Sequence, residues 1–142
     1  MKKILLVSML CNVTDLLKKA EPDLNGKTVT YIPTAAIAEE IEGMAEAAKG
    51  KLYIGESAGA IAACPDIGYS AEMDVPGKAP ELTDYTGMGL VDFYVVPHLG
   101  HPEMGPAANA IIERYSLKLG LKVIDDHQAI LIEGDKVSIL RE

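Results

Sequence analysis

Apolar runs alternate with amphipathic segments along most of the chain. Residues 4–8 form a continuous apolar run followed by polar residues, which is typical of a strand buried on both faces. Similar short runs, rich in β-branched or aliphatic side chains, predict further strands. These lie at residues 28–32, 51–54, 93–96, 121–124, 128–132 and 136–140.

Helical periodicity appears between the predicted strands. A short helix capped by Asn12 or Thr14 is expected to end near Ala20, and apolar residues at helical spacing predict longer helices over residues 35–49 and 105–119. One or two helical turns are expected at 60–64. Residues 66–89, rich in Gly and Pro, are predicted to be irregular, and a connection of that length is usually functional or carries short strands.

The order of these elements predicts one α/β domain over residues 1–142. Strands that alternate with helices predict a mostly parallel sheet with an antiparallel tail and with helices on both faces, which makes three layers. The last two strands are expected to form a C-terminal β-hairpin through residues 133–135.

Composition excludes several classes of function. The 142 residues carry a formal net charge of −8, and their 13 Lys and Arg are scattered, so neither nucleic acid nor anionic lipid is an expected partner. No apolar run approaches the ~18 residues of a membrane span, and residues 4–10 suit a buried strand better than a secretory signal. We therefore expect a soluble cytoplasmic protein with Cys11 and Cys64 as plain buried cysteines, and with no cofactor.

The sequence Gly55-Glu56-Ser57-Ala58-Gly59 is the strongest chemical motif. It follows a predicted strand and precedes a short helix, which is the arrangement of a nucleophile elbow. In such a turn Ser57 is held in a strained conformation at the carboxyl end of the sheet, and Gly55 and Gly59 remove side chains that would clash. The Ala58 N–H is then placed to stabilise an oxyanion.

A nucleophilic serine needs a base, and the chain has three histidines. His98 follows the strand at 93–96 and is therefore expected at the same sheet edge as Ser57. His101 and His127 are interpreted as surface or hydrogen-bonded residues. A metal site on His98 and His101 has no obvious third ligand, so no metal is expected.

The acid that would orient the histidine is less defined by position. Glu72 and Asp74 lie between the serine and the histidine, which gives the chain order serine, acid, histidine. Asp126 in the C-terminal part is the alternative. All three remain open at the level of the residues.

Four motifs in one order resemble the dipeptidase E family of serine peptidases, the α-aspartyl dipeptidases related to cyanophycinases. They are Thr30-Tyr-Ile-Pro-Thr34, Tyr53-Ile-Gly-Glu-Ser-Ala-Gly-Ala60, Gly89-Leu-Val-Asp-Phe93 and Val96-Pro-His98. The tail, Asp126-His-Gln-Ala-Ile-Leu-Ile132 with Gly134-Asp135, is similar to the family's ending.

The resemblance implies a sheet flanked by helices, akin to class I glutamine amidotransferase-like and flavodoxin-like domains. It implies cleavage of dipeptides with N-terminal aspartate, with Ser57 as nucleophile and His98 as general base. The family's acidic partner falls where Glu72 and Asp74 stand. A pocket for the aspartyl carboxylate favours a cation, and Lys78 is the basic residue that lies between Ser57 and His98 in the sequence.

One departure from the family pattern concerns the middle of the chain. The family normally carries two further strand–helix units before the elbow, one with a Gly-Gly-Asn turn that supplies an oxyanion donor. This sequence has no Gly-Gly-Asn, and a single predicted helix joins Thr34 to Lys51. The chain therefore resembles a family member shortened by an internal deletion of roughly 60 residues, about two βα units by size.

The shortening leads to two further expectations. A narrower sheet exposes edges and apolar flanks, so we expect a homodimer or higher oligomer that completes the sheet. Function is expected to be either a serine peptidase acting on short peptides or an impaired family member that serves as an oligomeric binding or scaffold protein. An esterase-like hydrolase with the same residues is a third reading that no specific feature supports.

Overall fold

The computed structural model describes residues 2–26, 51–74 and 80–142. The predicted strand at 28–32 and helix at 35–49 lie outside these residues, as does Lys78. None of the helices within the described ranges is long and apolar enough to cross a lipid bilayer.

Ten regular elements and one short helical turn form the described part of the protein. In chain order they are β1 (Lys3–Val7), a 3₁₀ turn (Leu10–Asn12), α1 (Thr14–Ala20), β2 (Leu52–Glu56), α2 (Ala58–Ala62), a 3₁₀ helix (Gly68–Met73), β3 (Tyr94–Val96), α3 (Gly105–Tyr115), β4 (Leu121–Val123), β5 (Gln128–Glu133) and β6 (Lys136–Arg141).

Strand β1 lies at the centre of the larger sheet, whose order is β2-β1-β5-β6. It pairs parallel to β2, with Leu5 opposite Ile54, and antiparallel to β5, with Leu5 opposite Leu131. Its apolar run is buried on both faces, as the sequence predicts. Ile4 and Leu6 belong to one hydrophobic cluster, and Leu5 and Val7 belong to another.

Helices cover both faces of this sheet. On one face, Leu16 and Ala20 of α1 pack in the cluster that contains Leu5 and Val7. On the other face, residues of α2 and α3 join the larger cluster, including Ala60, Ala108 and Ile111. The protein is therefore a mixed α/β structure with a helix-flanked sheet.

Parallel and antiparallel pairs are equally represented among the described strands. β1–β2 and β3–β4 are parallel, whereas β1–β5 and β5–β6 are antiparallel. The parallel pairs join strands β1 to β4, and both antiparallel pairs involve β5 in the C-terminal tail, because a short connection after β4 lets β5 run back along β1. The parallel strand expected at 28–32 is outside the described residues.

Two other segments differ from their predicted form. The helix expected at 105–119 ends at Tyr115, after which the N–H groups of Lys118 and Leu119 both bond to the Tyr115 carbonyl. The described part of the 66–89 segment contains the 3₁₀ helix Gly68–Met73 and a single bridge between Asp66 and Thr86. The described part of this segment therefore contains regular structure where an irregular loop was expected.

Candidate active site

The turn between β2 and α2 holds Ser57 in a conformation that is costly for a residue with a side chain. Ser57 has φ 49° and ψ −112°, and strain of this kind persists only where the surrounding structure imposes it. The Ser57 N–H donates to the Val7 carbonyl at 2.9 Å, which ties the turn to the end of β1. This is the geometry expected of a nucleophile elbow.

The glycines that flank Ser57 differ in their importance for the turn. A Cβ at Gly55 would lie 2.7 Å from the Gly59 carbonyl oxygen, so glycine is required there. Among the described residues, a Cβ at Gly59 would meet only the Tyr53 hydroxyl, at 4.0 Å. The expectation that both glycines relieve a clash therefore holds for Gly55, whereas no described residue would clash with a side chain at Gly59.

His98 lies against Ser57 across the carboxyl edge of the sheet. Its Nε2 is 2.9 Å from the Ser57 Oγ, within the range of a hydrogen bond between nucleophile and base. The imidazole follows β3 after Pro97 and is largely buried, with 7% of the residue exposed. His98 also has a positive φ, 64°, so the backbone is strained on both sides of this contact.

Asp126 approaches the other side of the same ring. Its Oδ1 lies 2.9 Å from His98 Nδ1, and both side chains are mostly buried, at 10% exposure for His98 and 15% for Asp126. An acceptor on Nδ1 holds the proton on that nitrogen and leaves Nε2 free to accept the proton of Ser57. The three side chains thus form a continuous serine–histidine–aspartate chain.

Within the described residues, the hydrogen bonds of the imidazole are made with Ser57 and Asp126. Glu72 Oε1 instead pairs with Arg114 Nη1 of α3 at 2.5 Å, on a partly exposed surface. Ser57 and Asp126 already occupy both ring nitrogens of His98, which leaves no ring nitrogen for a second carboxylate. The expectation for Glu72 or Asp74 is therefore replaced by Asp126, the alternative acid.

A parallel strand pair explains why Asp126 reaches His98. Strands β3 and β4 pair with Val96 opposite Val123, so the residues that follow both strands emerge at one edge. The loop after β4 is further fixed by Asp125, whose carboxylate accepts from Arg141 of β6 and from the His127 N–H. The shared edge of β3 and β4 is the signal that would have favoured Asp126 from sequence.

The remaining histidines have other partners. His101 Nδ1 accepts the N–H groups of Glu103 and Met104, each at 3.2 Å, next to the start of α3. Its ring packs edge-on to His98, with 5.8 Å between ring centres. His127 is exposed. Across the described residues no group of three or more His, Cys, Asp or Glu side chains is arranged to hold a metal.

A buried polar cluster joins the segments that carry Ser57 and His98. Cys64, just after α2, accepts the Val95 N–H of β3 at 3.3 Å, and the Tyr69 hydroxyl donates to the Val95 carbonyl. Burial raises the pKa of the Cys64 thiol and that of the Tyr69 phenol. Both groups are therefore neutral at pH 7 and act as hydrogen-bonding partners within the core.

Comparison with known proteins supports a peptidase relationship. Residues 41–140 match the family model described as Peptidase family S51. The chain is 31% identical to the uncharacterized peptidase PM1590 of Pasteurella multocida, with 95% of each chain covered. It is 30% identical to the uncharacterized peptidase Lin0382 of Listeria innocua, with 96% of this chain and 95% of that protein covered.

A solved structure gives the same relationship. A 1.5 Å crystal structure of a candidate peptidase E protein from Listeria monocytogenes EGD-e superimposes with a TM-score of 0.86 at 28% identity, covering 100% of this chain and 99% of that one. The two sequence alignments extend over 197 and 199 positions, more than the 142 residues of this chain. They therefore include segments of the relatives that have no counterpart here, as an internal deletion produces.

Proposed function

Because this chain belongs to peptidase family S51, we propose that it is a serine peptidase that hydrolyses short peptides, with Ser57 as nucleophile. The observation that carries the proposal is the chain of two 2.9 Å contacts from Ser57 through His98 to Asp126. This arrangement stands on a strained turn at Ser57, and strain of this kind is concentrated at functional sites.

In the acylation step, Ser57 Oγ attacks the peptide carbonyl while its proton passes to His98 Nε2. Asp126 accepts the Nδ1–H hydrogen bond throughout and stabilises the imidazolium that forms. His98 then returns the proton to the leaving amine as the C–N bond breaks. In deacylation, His98 takes a proton from water while the water oxygen attacks the carbonyl carbon of the acyl–Ser57 ester. As the C–Oγ bond breaks, His98 returns that proton to Ser57 Oγ, and the acid is released.

The oxyanion of the tetrahedral intermediate needs donors close to Ser57. The Ala58 N–H belongs to the first turn of α2, where backbone N–H groups have no partner within the helix, and it follows the nucleophile directly. The family's Gly-Gly-Asn turn is absent from the sequence. Because loss of one oxyanion donor costs about 10²–10³ in turnover, we expect slower hydrolysis than by relatives that have this turn.

The substrate class follows from the resemblance to α-aspartyl dipeptidases. We propose peptides with N-terminal aspartate, whose carboxylate requires a cationic or hydrogen-bonding pocket. Lys78 remains the proposed cation, and it lies outside the described residues. A matched pair of substrates, aspartyl- and asparaginyl-p-nitroanilide, tests whether the negative charge is recognised.

A second copy of the chain is the proposed partner. Among the described strands, β6 forms an edge of the larger sheet, and it exposes Val137 at 39% and Ile139 at 49%. Edges of this kind pair readily with another chain. Light scattering at micromolar concentration is expected to give the mass of a dimer or larger assembly, and a monomer would contradict this proposal.

The missing Gly-Gly-Asn turn also favours a second candidate function. In that case the protein is a catalytically impaired family member that acts as a binding or scaffold protein, and the elbow is inherited architecture. Release of p-nitroaniline from aspartyl-p-nitroanilide separates the two. The peptidase proposal predicts turnover that Ser57→Ala abolishes and that Ser116→Ala, a control at the end of α3, retains. If neither wild type nor Ser57→Ala shows detectable turnover of aspartyl substrates, the result would favour the catalytically impaired protein.

A further inference from the structure

The end of β1 contacts all three segments that carry the proposed catalytic residues. The Val7 carbonyl accepts the Ser57 N–H at 2.9 Å. The Ser8 Oγ accepts the His98 N–H at 3.0 Å and donates to the Ile124 carbonyl at 3.4 Å. Ile124 lies two residues before Asp126. The adjacent residues Val7 and Ser8 are therefore hydrogen-bonded to the elbow and to the loops after β3 and β4.

The Ser8 hydroxyl has no access to solvent, since only 1% of the residue is exposed. Its two partners are backbone groups of buried residues, His98 and Ile124. A buried hydroxyl with one donor and one acceptor contact uses its hydrogen-bonding capacity in a fixed geometry. The Leu99 N–H also joins the two loops directly, since it donates to the Ile124 carbonyl at 3.1 Å. The Ser8 hydroxyl therefore adds a fixed attachment of both loops to the end of β1.

The hydrogen bond between Ser8 and His98 acts on a strained part of the backbone. His98 has φ 64°, a conformation that a non-glycine residue adopts only when surrounding contacts impose it. The His98 N–H that Ser8 accepts is one of the contacts that hold this conformation. Without it, the backbone of His98 is free to relax, and the ring would shift relative to both Ser57 and Asp126.

A second hydrogen bond joins the segment after β1 to the elbow. Glu56, the residue before the nucleophile, accepts the Leu10 N–H at 2.7 Å through its Oε1. Together with the Val7–Ser57 bond, it joins the segment after β1 to the elbow from both sides. Ser8 is thus held in place relative to Ser57 while it holds His98.

We infer that Ser8 is a positioning residue for the Ser57–His98–Asp126 chain, acting through the backbone of His98 and Ile124. The inference deepens the proposed function and rests on it for its kinetic consequences. Displacement of a catalytic group by about 1 Å costs on the order of 10²-fold in rate. Ser8→Ala is expected to lower kcat by about 10- to 100-fold with little change in KM, because Ser8 does not touch the substrate.

The test compares Ser8→Ala, Ser8→Thr and Ser70→Ala with the full-length wild type. Ser8→Thr keeps the hydroxyl and is expected to recover most of the kcat lost in Ser8→Ala. Ser70 also donates to a backbone carbonyl, that of Ile67 at 2.7 Å, but is not in contact with the triad, so Ser70→Ala controls for loss of a serine–backbone bond. Circular dichroism verifies that each variant is folded.

A spectroscopic measurement tests the inference without relying on activity. In NMR spectra, the His98 backbone N–H and its Nδ1–H to Asp126 are expected to shift in Ser8→Ala and to remain unchanged in Ser70→Ala. Unchanged His98 resonances, or a kcat within twofold of wild type in a folded Ser8→Ala, would overturn the positioning role. If the wild type is inactive, the peptidase proposal fails while the NMR comparison still decides the role of Ser8.

Discussion

His98 Nδ1 lies 2.9 Å from Asp126 Oδ1, and the two residues follow neighbouring parallel strands. In the proposed mechanism, this contact makes Asp126, in the C-terminal part of the chain, the orienting carboxylate. The order along the sequence is therefore serine, histidine, aspartate. Triads of the same geometry occur in several chain orders, so position along the sequence is a weak guide to the acid.

Replacing Asp126 by Asn is expected to reduce kcat by about 10³–10⁴, because the amide no longer holds the required tautomer or stabilises the imidazolium. The substitution preserves shape, so the folded structure is expected to persist. Steady-state kinetics with aspartyl-p-nitroanilide measures the effect. A loss of less than tenfold would show that another group orients His98.

Glu72→Gln is the matched control for Asp126→Asn, and it is expected to keep kcat within twofold of wild type. Its carboxylate pairs with Arg114 on a partly exposed surface. Pairs of this kind contribute about 0–1 kcal/mol, so urea unfolding should show a change no larger than that. A large loss of kcat with unchanged stability would show that Glu72 takes part in catalysis.

Gly55→Ala is expected to destabilise the protein by about 1–3 kcal/mol, as overpacking usually does. The new Cβ would lie 2.7 Å from the Gly59 carbonyl oxygen and 2.9 Å from Tyr53 Cε1. Because the elbow must shift, kcat is also expected to fall. Gly120→Ala is the control, since no atom of the described residues lies within 4 Å of its Cβ position, and it should change stability by less than about 0.5 kcal/mol. Equal effects of the two substitutions would contradict the steric requirement at Gly55.

Stability is expected to fall at alkaline pH. Burial raises the pKa of Tyr53 to about 12, and it also raises the pKa of Cys64 and of Tyr69. Their ordinary values are 9.0 for Cys and 10.0 for Tyr, so the unfolded chain loses these protons first. The stabilisation is thus complete below about pH 9 and is lost as the pH rises toward 12.

Urea unfolding between pH 7 and pH 11 measures this loss. Tyr53→Phe is expected to make the decline with pH shallower, because it removes one of the groups whose pKa is raised. Tyr85→Phe serves as the control, since Tyr85 is 43% exposed. The same pH dependence in Tyr53→Phe and wild type would show that Tyr53 does not contribute.

The elbow could be predicted from sequence because its signals are local. An apolar strand, two glycines and a following helix are all visible within residues 51–64, and the structure has Ser57 in the expected strained conformation, with φ 49°. The position of His98 could also be predicted from sequence, because His98 closely follows a predicted strand. The role of Asp126 depends on the pairing of β3 with β4, which connects residues 28 positions apart and leaves no local pattern.

Ser8 was missed for a related reason. In the sequence it is the polar end of an apolar run, and a serine in that position usually only ends a strand. Its contacts with His98 and Ile124 join residues 90 and 116 positions away. Active-site groups gather at the carboxyl ends of parallel strands. Ser8 directly follows β1 as Ser57 follows β2, so this general rule is the feature of the sequence that points to Ser8.

The most direct test of the account is to observe an acyl group on Ser57. The protein is mixed with an aspartyl p-nitrophenyl ester, quenched in acid, digested and analysed by mass spectrometry. The account predicts an aspartyl adduct on Ser57, together with release of p-nitrophenolate, and no adduct on the corresponding peptide of Ser57→Ala. An unmodified Ser57 in wild type, or equal labelling of that peptide in Ser57→Ala, would contradict it.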